Sequence, residues 1–203
     1  MDKLFSNCVG LILAAGRSER MGTPKSNLPW GNTSVLGQVI RTLTEGGLHR
    51  IFIVINPFRK PEILGDLPDV EITWIDNPEA ETAEMLKSIQ TGLSAFPENV
   101  QNGLITLGDQ PTIRMEVVKK MLLAIQETEE TLIFPSYRKK RGHPWAVNKI
   151  YWAEICELTR TDTPRTFIKA HADDIHYIDF DLEPPEDIDT PEMYHRLKLE
   201  AGM

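Results

Sequence analysis

Two cations and one carboxylate stand in this chain where chemistry on a phosphorylated ligand could be done. The apolar run Val9 to Leu13 leads directly into Ala14-Ala15-Gly16-Arg17-Ser18-Glu19-Arg20-Met21-Gly22-Thr23-Pro24-Lys25. Small residues after a buried strand let a ligand approach the backbone closely, and the backbone N–H groups there can cradle phosphate oxygens. Arg20 and Lys25 follow at a distance from which a folded loop can return both to the same phosphates, one as a planar fork and one as a point charge. Neither G-x-x-x-x-G-K-[ST] nor G-x-G-x-x-G is present, so a P-loop NTPase and a dinucleotide dehydrogenase both lose their main support. The carboxylate is Asp109, in Gly108-Asp109-Gln110-Pro111, directly after a second apolar run, Gly103 to Leu107. An acid so placed suits Mg²⁺, which needs one or two protein carboxylates besides substrate phosphates and water. The blander alternatives are a flexible loop with incidental basic residues, and an Asp that caps a helix beginning after Pro111.

Positioning these groups requires a sheet. Val9 to Leu13, Ile51 to Ile55, Leu104 to Leu107 and Leu132 to Phe134 are short apolar runs that read as strands buried on both faces. Between them, Val35, Leu36, Val39, Ile40 and Leu43, then Leu86, Ile89 and Leu93, then Val117, Val118, Met121, Leu122 and Ile125 recur at helical spacing. Gly46-Gly47 ends the first of these helices and Pro97 closes the second. The alternation predicts an α/β fold: a single domain over residues 1–203, with a mostly parallel, doubly wound sheet and helices on both faces. Ligands in such sheets lie at the carboxyl ends of strands, which is where both candidate segments fall. Further along, helices are predicted over Ile150 to Leu158 and after Pro164, a strand over His176 to Phe180, and a terminal helix to about Leu199.

Composition narrows the partners. The chain has 203 residues, 22 basic and 30 acidic side chains, and a net charge of −8. It therefore has no chain-wide attraction to nucleic acid or to anionic membranes, and positive charge for a phosphorylated ligand must be local or come from a metal. Two cysteines are too few for a disulfide scaffold, which predicts reduced thiols and a cytoplasmic location. The apolar run near the N-terminus reads as a buried first strand rather than a signal peptide, because Asp2, Ser6 and Asn7 interrupt it.

The segment Leu-Ala-Ala-Gly-x-Ser-x-Arg-Met-Gly-x-Pro-Lys resembles the signature of the MobA-like NTP transferases. Within them it is most similar to the molybdenum cofactor cytidylyltransferases, which carry Ala-Ala-Gly where the guanylyltransferase branch tends to carry Ala-Gly-Gly. The resemblance implies a nucleotide-diphospho-sugar transferase-like fold and a transfer of CMP from CTP to a phosphorylated acceptor such as molybdopterin. It also implies Mg²⁺ as cofactor and a transient contact with a molybdoenzyme. By the same resemblance Leu13, Ala14, Ala15, Gly16, Arg20 and Lys25 hold the nucleotide phosphates, Asp109 binds the metal, and Asp189 in Asp187-Ile188-Asp189-Thr190-Pro191-Glu192-Met193-Tyr194 completes the metal site. Read without the resemblance, that closing segment is simply a helix start with a cap and a first-turn proline.

Ser88, in Ala83-Glu84-Met85-Leu86-Lys87-Ser88, matches a serine near the nucleotide base, although Glu84 stands where the family usually has Gly and Leu86-Lys87 where it has small residues. His143 in Gly142-His143-Pro144, together with Asp162 and Arg165, falls on the implied acceptor side. The glycines of the family's Gly-Asp-x-Gly-Ala-Arg segment are missing around Asp162 and Arg165. Transferases of the same fold with other bases or acceptors, including guanylyl-, sugar-1-phosphate and methylerythritol-phosphate transferases, remain open. So does a nucleotide-binding accessory protein that delivers cofactor to a dehydrogenase.

Overall fold

The computed structural model describes residues 7–18, 21–63, 65–82 and 84–203. The first strand, β1 (Cys8–Ala14), lies at the middle of the main sheet, and its side chains go alternately to the two faces. Ile12 enters one core with Leu36, Val39, Ile40 and Leu43 of α1 (Val35–Glu45) and Val117, Val118, Met121 and Leu122 of α3 (Met115–Glu127). Leu11 and Leu13 enter the opposite core, against Leu86, Ile89 and Leu93 of α2 (Met85–Ser94), Trp152 and Ile155 of α4 (Trp152–Glu157), and Phe167 of α5 (Pro164–Ala170). The expected helices on both faces are these two layers. Each fully buried Leu or Ile in them contributes about 1.5–3 kcal/mol of apolar burial.

Strand β1 pairs in parallel with β4 (Arg50–Ile55) on one side and β6 (Asn102–Leu107) on the other. Outside β4 lies β5 (Glu71–Asp76), also parallel. Beyond β6 come β9 (Trp145–Asn148), β7 (Leu132–Tyr137) and β10 (Ile175–Phe180), with β9 running antiparallel to both of its neighbours and β10 parallel to β7. The sheet order is thus β10-β7-β9-β6-β1-β4-β5, with the short β8 (Lys140–Arg141) hairpinned onto β7.

Strands β5, β9 and the two-residue β8 of the main sheet lie outside the periodicity reading. Strand β5 is an edge whose sequence, Glu-Ile-Thr-Trp-Ile-Asp, lacks a long apolar run because both of its faces are only partly covered. Strand β9 reverses direction and is only four residues long.

A small hairpin, β2 (Pro29–Trp30) with β3 (Thr33–Ser34), and the terminal helix α6 (Pro191–Glu200) share a third core of Trp30, Val35, Ile188, Tyr194 and Leu197. The Tyr194 hydroxyl donates to the Pro29 carbonyl at 2.5 Å, which ties the terminal helix to the hairpin. Among the described residues, no helix is long and apolar enough to cross a membrane.

Candidate active site

The carboxyl ends of β1 and β6 lie side by side, and their loops open a cavity of about 340 Å³. Gly108 makes the closeness possible: its N–H donates to Leu13 O at 2.9 Å, and a Cβ there would meet the Ala14 Cβ at 2.9 Å. A Cβ on Gly16, by contrast, would meet nothing within 4 Å. Gly16 therefore leaves open space against the backbone of a cavity wall, where a ligand can sit.

Leu13, Ala14, Ala15, Gly16 and Lys25 all line this cavity. Arg20 lies outside the described residues. The loop closes on itself through Ser18, whose Oγ accepts from Lys25 N–H at 3.1 Å and whose carbonyl accepts from Met21 N–H at 3.0 Å. Ser18 adopts φ 52°, a left-handed conformation that costs a non-glycine residue about 1–2 kcal/mol and persists because these bonds hold it.

At one end of the cavity, Lys25 Nζ lies 3.1 Å from Asp109 Oδ2 and 2.7 Å from Asp189 Oδ1. Two acids 80 positions apart thus converge on one cation. The ammonium marks a point that both carboxylates reach together, and this donor set fits a divalent ion that takes its other ligands from phosphate and water. Burial is the largest influence on Asp109 and raises its pKa, against the lowering charge of Lys25. Burial alone would lower Lys25, but its hydrogen bond to Asp189 and the charge of Asp109 outweigh this, and its pKa is raised.

Neither carboxylate is a helix cap. Helix α3 begins only at Met115, and Thr190 caps α6 by accepting from Met193 N–H. Asp189 is brought to Asp109 by its neighbour. Ile188 is fully buried and donates its N–H to the Asp109 carbonyl at 3.0 Å, while Gln110 Nε2 donates to Asp187 Oδ1 at 2.6 Å. Ile188 and Gln110 were not among the residues expected to matter. An isolated Ile between two acids is the one trace that the sequence holds of this anchor.

At the other end the wall is Ala80, Glu84, Met85 and Ser88. Ser88 is buried, and its Oγ accepts from Asn77 Nδ2 at 3.1 Å. Asn77 in turn is held by its own turn, accepting through Oδ1 from Glu79 N–H at 3.1 Å. Glu84 takes the N-cap position of α2 without a side-chain cap bond and faces the cavity, whereas Lys87 pairs with Glu79 at 2.8 Å.

The acceptor-side residues stand apart from this cavity. His143 is half-buried, its ring pKa pushed down to about 4 by burial, and its carbonyl accepts from the Tyr137 hydroxyl at 2.6 Å. Asp162 accepts from the Thr159 N–H and hydroxyl at 2.9 and 2.8 Å, the backbone bond first holding its pKa low. Arg165 lies in the first turn of α5, beside a separate shallow cavity shared with Lys169. Of the basic run before Gly142, Arg138 is paired with Asp181 and Glu183, which leaves it little charge to offer an anionic ligand.

The model of the MobA-like NTP transferase domain matches residues 10–175. The chain belongs to this family. The MobA-like match contains the phosphate loop, Ser88 and Asp109, and stops short of Asp189. Among curated relatives, nicotine blue oxidoreductase of Paenarthrobacter nicotinovorans is 25% identical over 94% of this chain and 96% of its own. The molybdenum cofactor cytidylyltransferase of Escherichia coli K12 is 29% identical over 68% of this chain and 69% of its own. The bifunctional protein GlmU of Acidithiobacillus ferrooxidans is 29% identical over 66% of this chain, which spans only 29% of the GlmU length.

Among solved structures, the homologue of Mycobacterium tuberculosis Rv0371c from Mycobacterium sp. strain JC1 superposes with a TM-score of 0.79 at 25% identity, covering 97% of this chain and 98% of its own. Rv0371c of M. tuberculosis H37Rv in complex with manganese gives 0.72 at 20% identity, over 95% and 98%. The second likeness is one of fold. The expected nucleotide-diphospho-sugar transferase-like architecture, a single mostly parallel sheet between helices, is the one these proteins share.

Proposed function

We propose that this MobA-like chain transfers a nucleoside monophosphate from an NTP to a small phosphorylated acceptor, releasing pyrophosphate. CTP and molybdopterin or its molybdenum-loaded form are the substrates we favour, from the resemblance to the cofactor cytidylyltransferases. The observation that carries this reading is the meeting of Lys25 with Asp109 and Asp189 at one end of a cavity whose other end holds Ser88.

An acceptor phosphate oxygen attacks the α-phosphorus in line. A new P–O bond forms as the bond to the bridging oxygen breaks, and pyrophosphate leaves with the electron pair. A phosphate monoester is already an anion, so no protein nucleophile is needed; positioning and charge neutralisation supply the catalysis. Lys25 and Arg20 offset the charge that builds on the phosphates, and the backbone from Leu13 to Gly16 cradles them. As the triphosphate draws the ammonium of Lys25 toward itself, Asp109 and Asp189 are freed to hold Mg²⁺, which when bound would polarise the phosphoryl oxygens. Ser88 faces the base. His143, Asp162 and Arg165 would meet the acceptor only outside the nucleotide cavity, and a molybdoenzyme would receive the product.

One observation favours a second reading: the relative matched along 94% of this chain is named an oxidoreductase. Pyrophosphate release with Mg²⁺ and each of CTP, GTP, ATP and UTP, with and without molybdopterin, tests the transferase. Release with CTP that depends on the pterin supports it. A change in the oxidation state of nicotine blue without pyrophosphate release would support the oxidoreductase instead. Saturable nucleotide binding with neither turnover would support an accessory protein.

A further inference from the structure

Arg59 lies outside every segment that carries the nucleotide reading, yet it stands where three loops meet. It follows β4 by four residues and lines the cavity. Its terminal guanidinium nitrogen donates to the carbonyl of Arg17 in the phosphate loop, and its Nε lies 3.2 Å from Glu81 Oε1 in the connection between β5 and α2. The same Glu81 oxygen accepts from the Asn56 amide at 2.5 Å. Asn56 is buried and builds the turn beneath Arg59, accepting Phe58 N–H through Oδ1 at 2.9 Å and Arg59 N–H through its carbonyl at 3.0 Å. Root and head of the guanidinium are therefore both held.

In a trans peptide the C=O and the following N–H point in opposite directions. Holding the Arg17 carbonyl toward Arg59 turns the Ser18 N–H away from it, and Ser18 is a non-glycine residue with a left-handed backbone. A fork is needed for this. Lysine could neutralise Glu81 or reach the Arg17 carbonyl, but one ammonium on a flexible stem does not hold both in fixed directions.

We propose that Arg59 is a positioning residue for the nucleotide: with Glu81 it sets the orientation of the Arg17–Ser18 peptide, so that the phosphate loop is formed before the triphosphate arrives. The inference rests on the nucleotide reading of this cavity. It assigns to Arg59 an effect on nucleotide affinity rather than on the chemical step.

The test is equilibrium binding of Mg²⁺ with CTP or GTP, whichever the wild type binds more tightly, by calorimetry without acceptor. The variants are Arg59→Met, Arg59→Lys, Glu81→Gln and the double variant Arg59→Met/Glu81→Gln. Arg59→Met is expected to weaken binding by about tenfold or more, the scale of losing a charge-assisted hydrogen bond. Arg59→Lys should fall within about threefold of it, because charge without the fork does not restore the contact. The double variant should bind no more weakly than Arg59→Met alone, since both changes break one linkage. In turnover assays the loss should appear in KM, with kcat nearly unchanged.

Wild-type affinity in Arg59→Met, or full rescue by Arg59→Lys, would overturn the proposal. Should Arg59→Met fail to fold, unchanged affinity in Glu81→Gln would do the same. A wild-type chain that binds neither nucleotide defeats the nucleotide reading itself, whereas tight binding that is indifferent to Arg59 defeats this inference alone.

Discussion

The side-chain amide of Asn77 donates to the hydroxyl oxygen of Ser88 at 3.1 Å, across the connection from β5 to α2. With one of its lone pairs engaged, the hydroxyl keeps its own proton to give to a ligand, which makes Ser88 a directed donor at its end of the cavity. Ser88→Ala is expected to weaken nucleotide binding by about tenfold and to flatten the preference among bases, the scale of losing one hydrogen bond. Asn77→Ala should flatten that preference too and also destabilise the chain by about 1–3 kcal/mol, because buried groups lose their partner. Binding titrations with the four NTPs, beside thermal melts, check both. A Ser88→Ala variant with the wild-type order of bases would remove Ser88 from base reading.

Lys25 supports a prediction with two opposite signs. Lys25→Ala should lower turnover by at least about 100-fold, the scale of one preorganised charge contact. Lys25→Gln, by vacating the position between Asp109 and Asp189, should bind free Mn²⁺ about tenfold more tightly than wild type when no nucleotide is present. Electron paramagnetic resonance of unbound Mn²⁺ measures the second effect without any turnover. Equal Mn²⁺ affinity in the two proteins would mean that the ammonium does not compete for the carboxylates.

Ile188 and Asp189 are adjacent but should fail in different ways. Asp189→Asn removes a charge at a partly exposed site and should leave the melting temperature within a few degrees while turnover falls by about 100-fold. Ile188→Ala opens the small core under α6 and should cost about 2–5 kcal/mol, with turnover falling because the carboxylate beside it is no longer held. Thermal melts run alongside pyrophosphate assays separate the two.

His171 gives a pH signature away from the site. It lies 2.8 Å from Glu154 and 3.0 Å from Asp174, and the hydrogen bond to Glu154 first, then that to Asp174, raises its pKa. A raised folded pKa means stability that is fully present below the unfolded value of about 6.5 and is lost as pH rises through the folded value. His171→Gln should therefore cost about 1 kcal/mol or less near pH 5.5 and close to nothing near pH 9, since both acids are half exposed. Melting curves at the two pH values test the sign, and an equal loss at both would assign the contact to packing.

Much of this architecture is legible in the chain, and for a physical reason. Strands buried on both faces, such as β1 and β4, must be apolar throughout, and helices over them must repeat every three to four residues, so the central layers announce themselves. The edge strand β5 does not, because neither of its faces is fully covered: Ile72 and Ile75 are only partly buried, on opposite cores, and Glu71, Trp74 and Asp76 are exposed. Strand β9 is hidden by its length, and its reversal between β6 and β7 is a matter of pairing that no periodicity records.

The candidate site divides in the same way. The phosphate loop is a continuous run of unusual composition, and Asp109 follows a strand, so both can be found locally. The partnership of Asp109 with Asp189 depends on Ile188 entering a pocket made by Trp30, Val35, Tyr194 and Leu197, which only the folded chain assembles. Arg59 and Glu81 are invisible for a similar reason: two ordinary surface-type residues become a bridge only when β4 and β5 end side by side.

The late position of Asp189 bears on how this protein ages and is made. A ribosome that has released residues as far as β10 has already supplied every strand of the main sheet, the phosphate loop and Asp109. A polypeptide nicked anywhere in the stretch between β10 and α6 would keep that sheet while losing its hold on the second acid. If the chain is the transferase proposed above, such fragments would compete for nucleotide in a cell extract without consuming it, so specific activity would decline faster than nucleotide-binding capacity as a preparation is clipped.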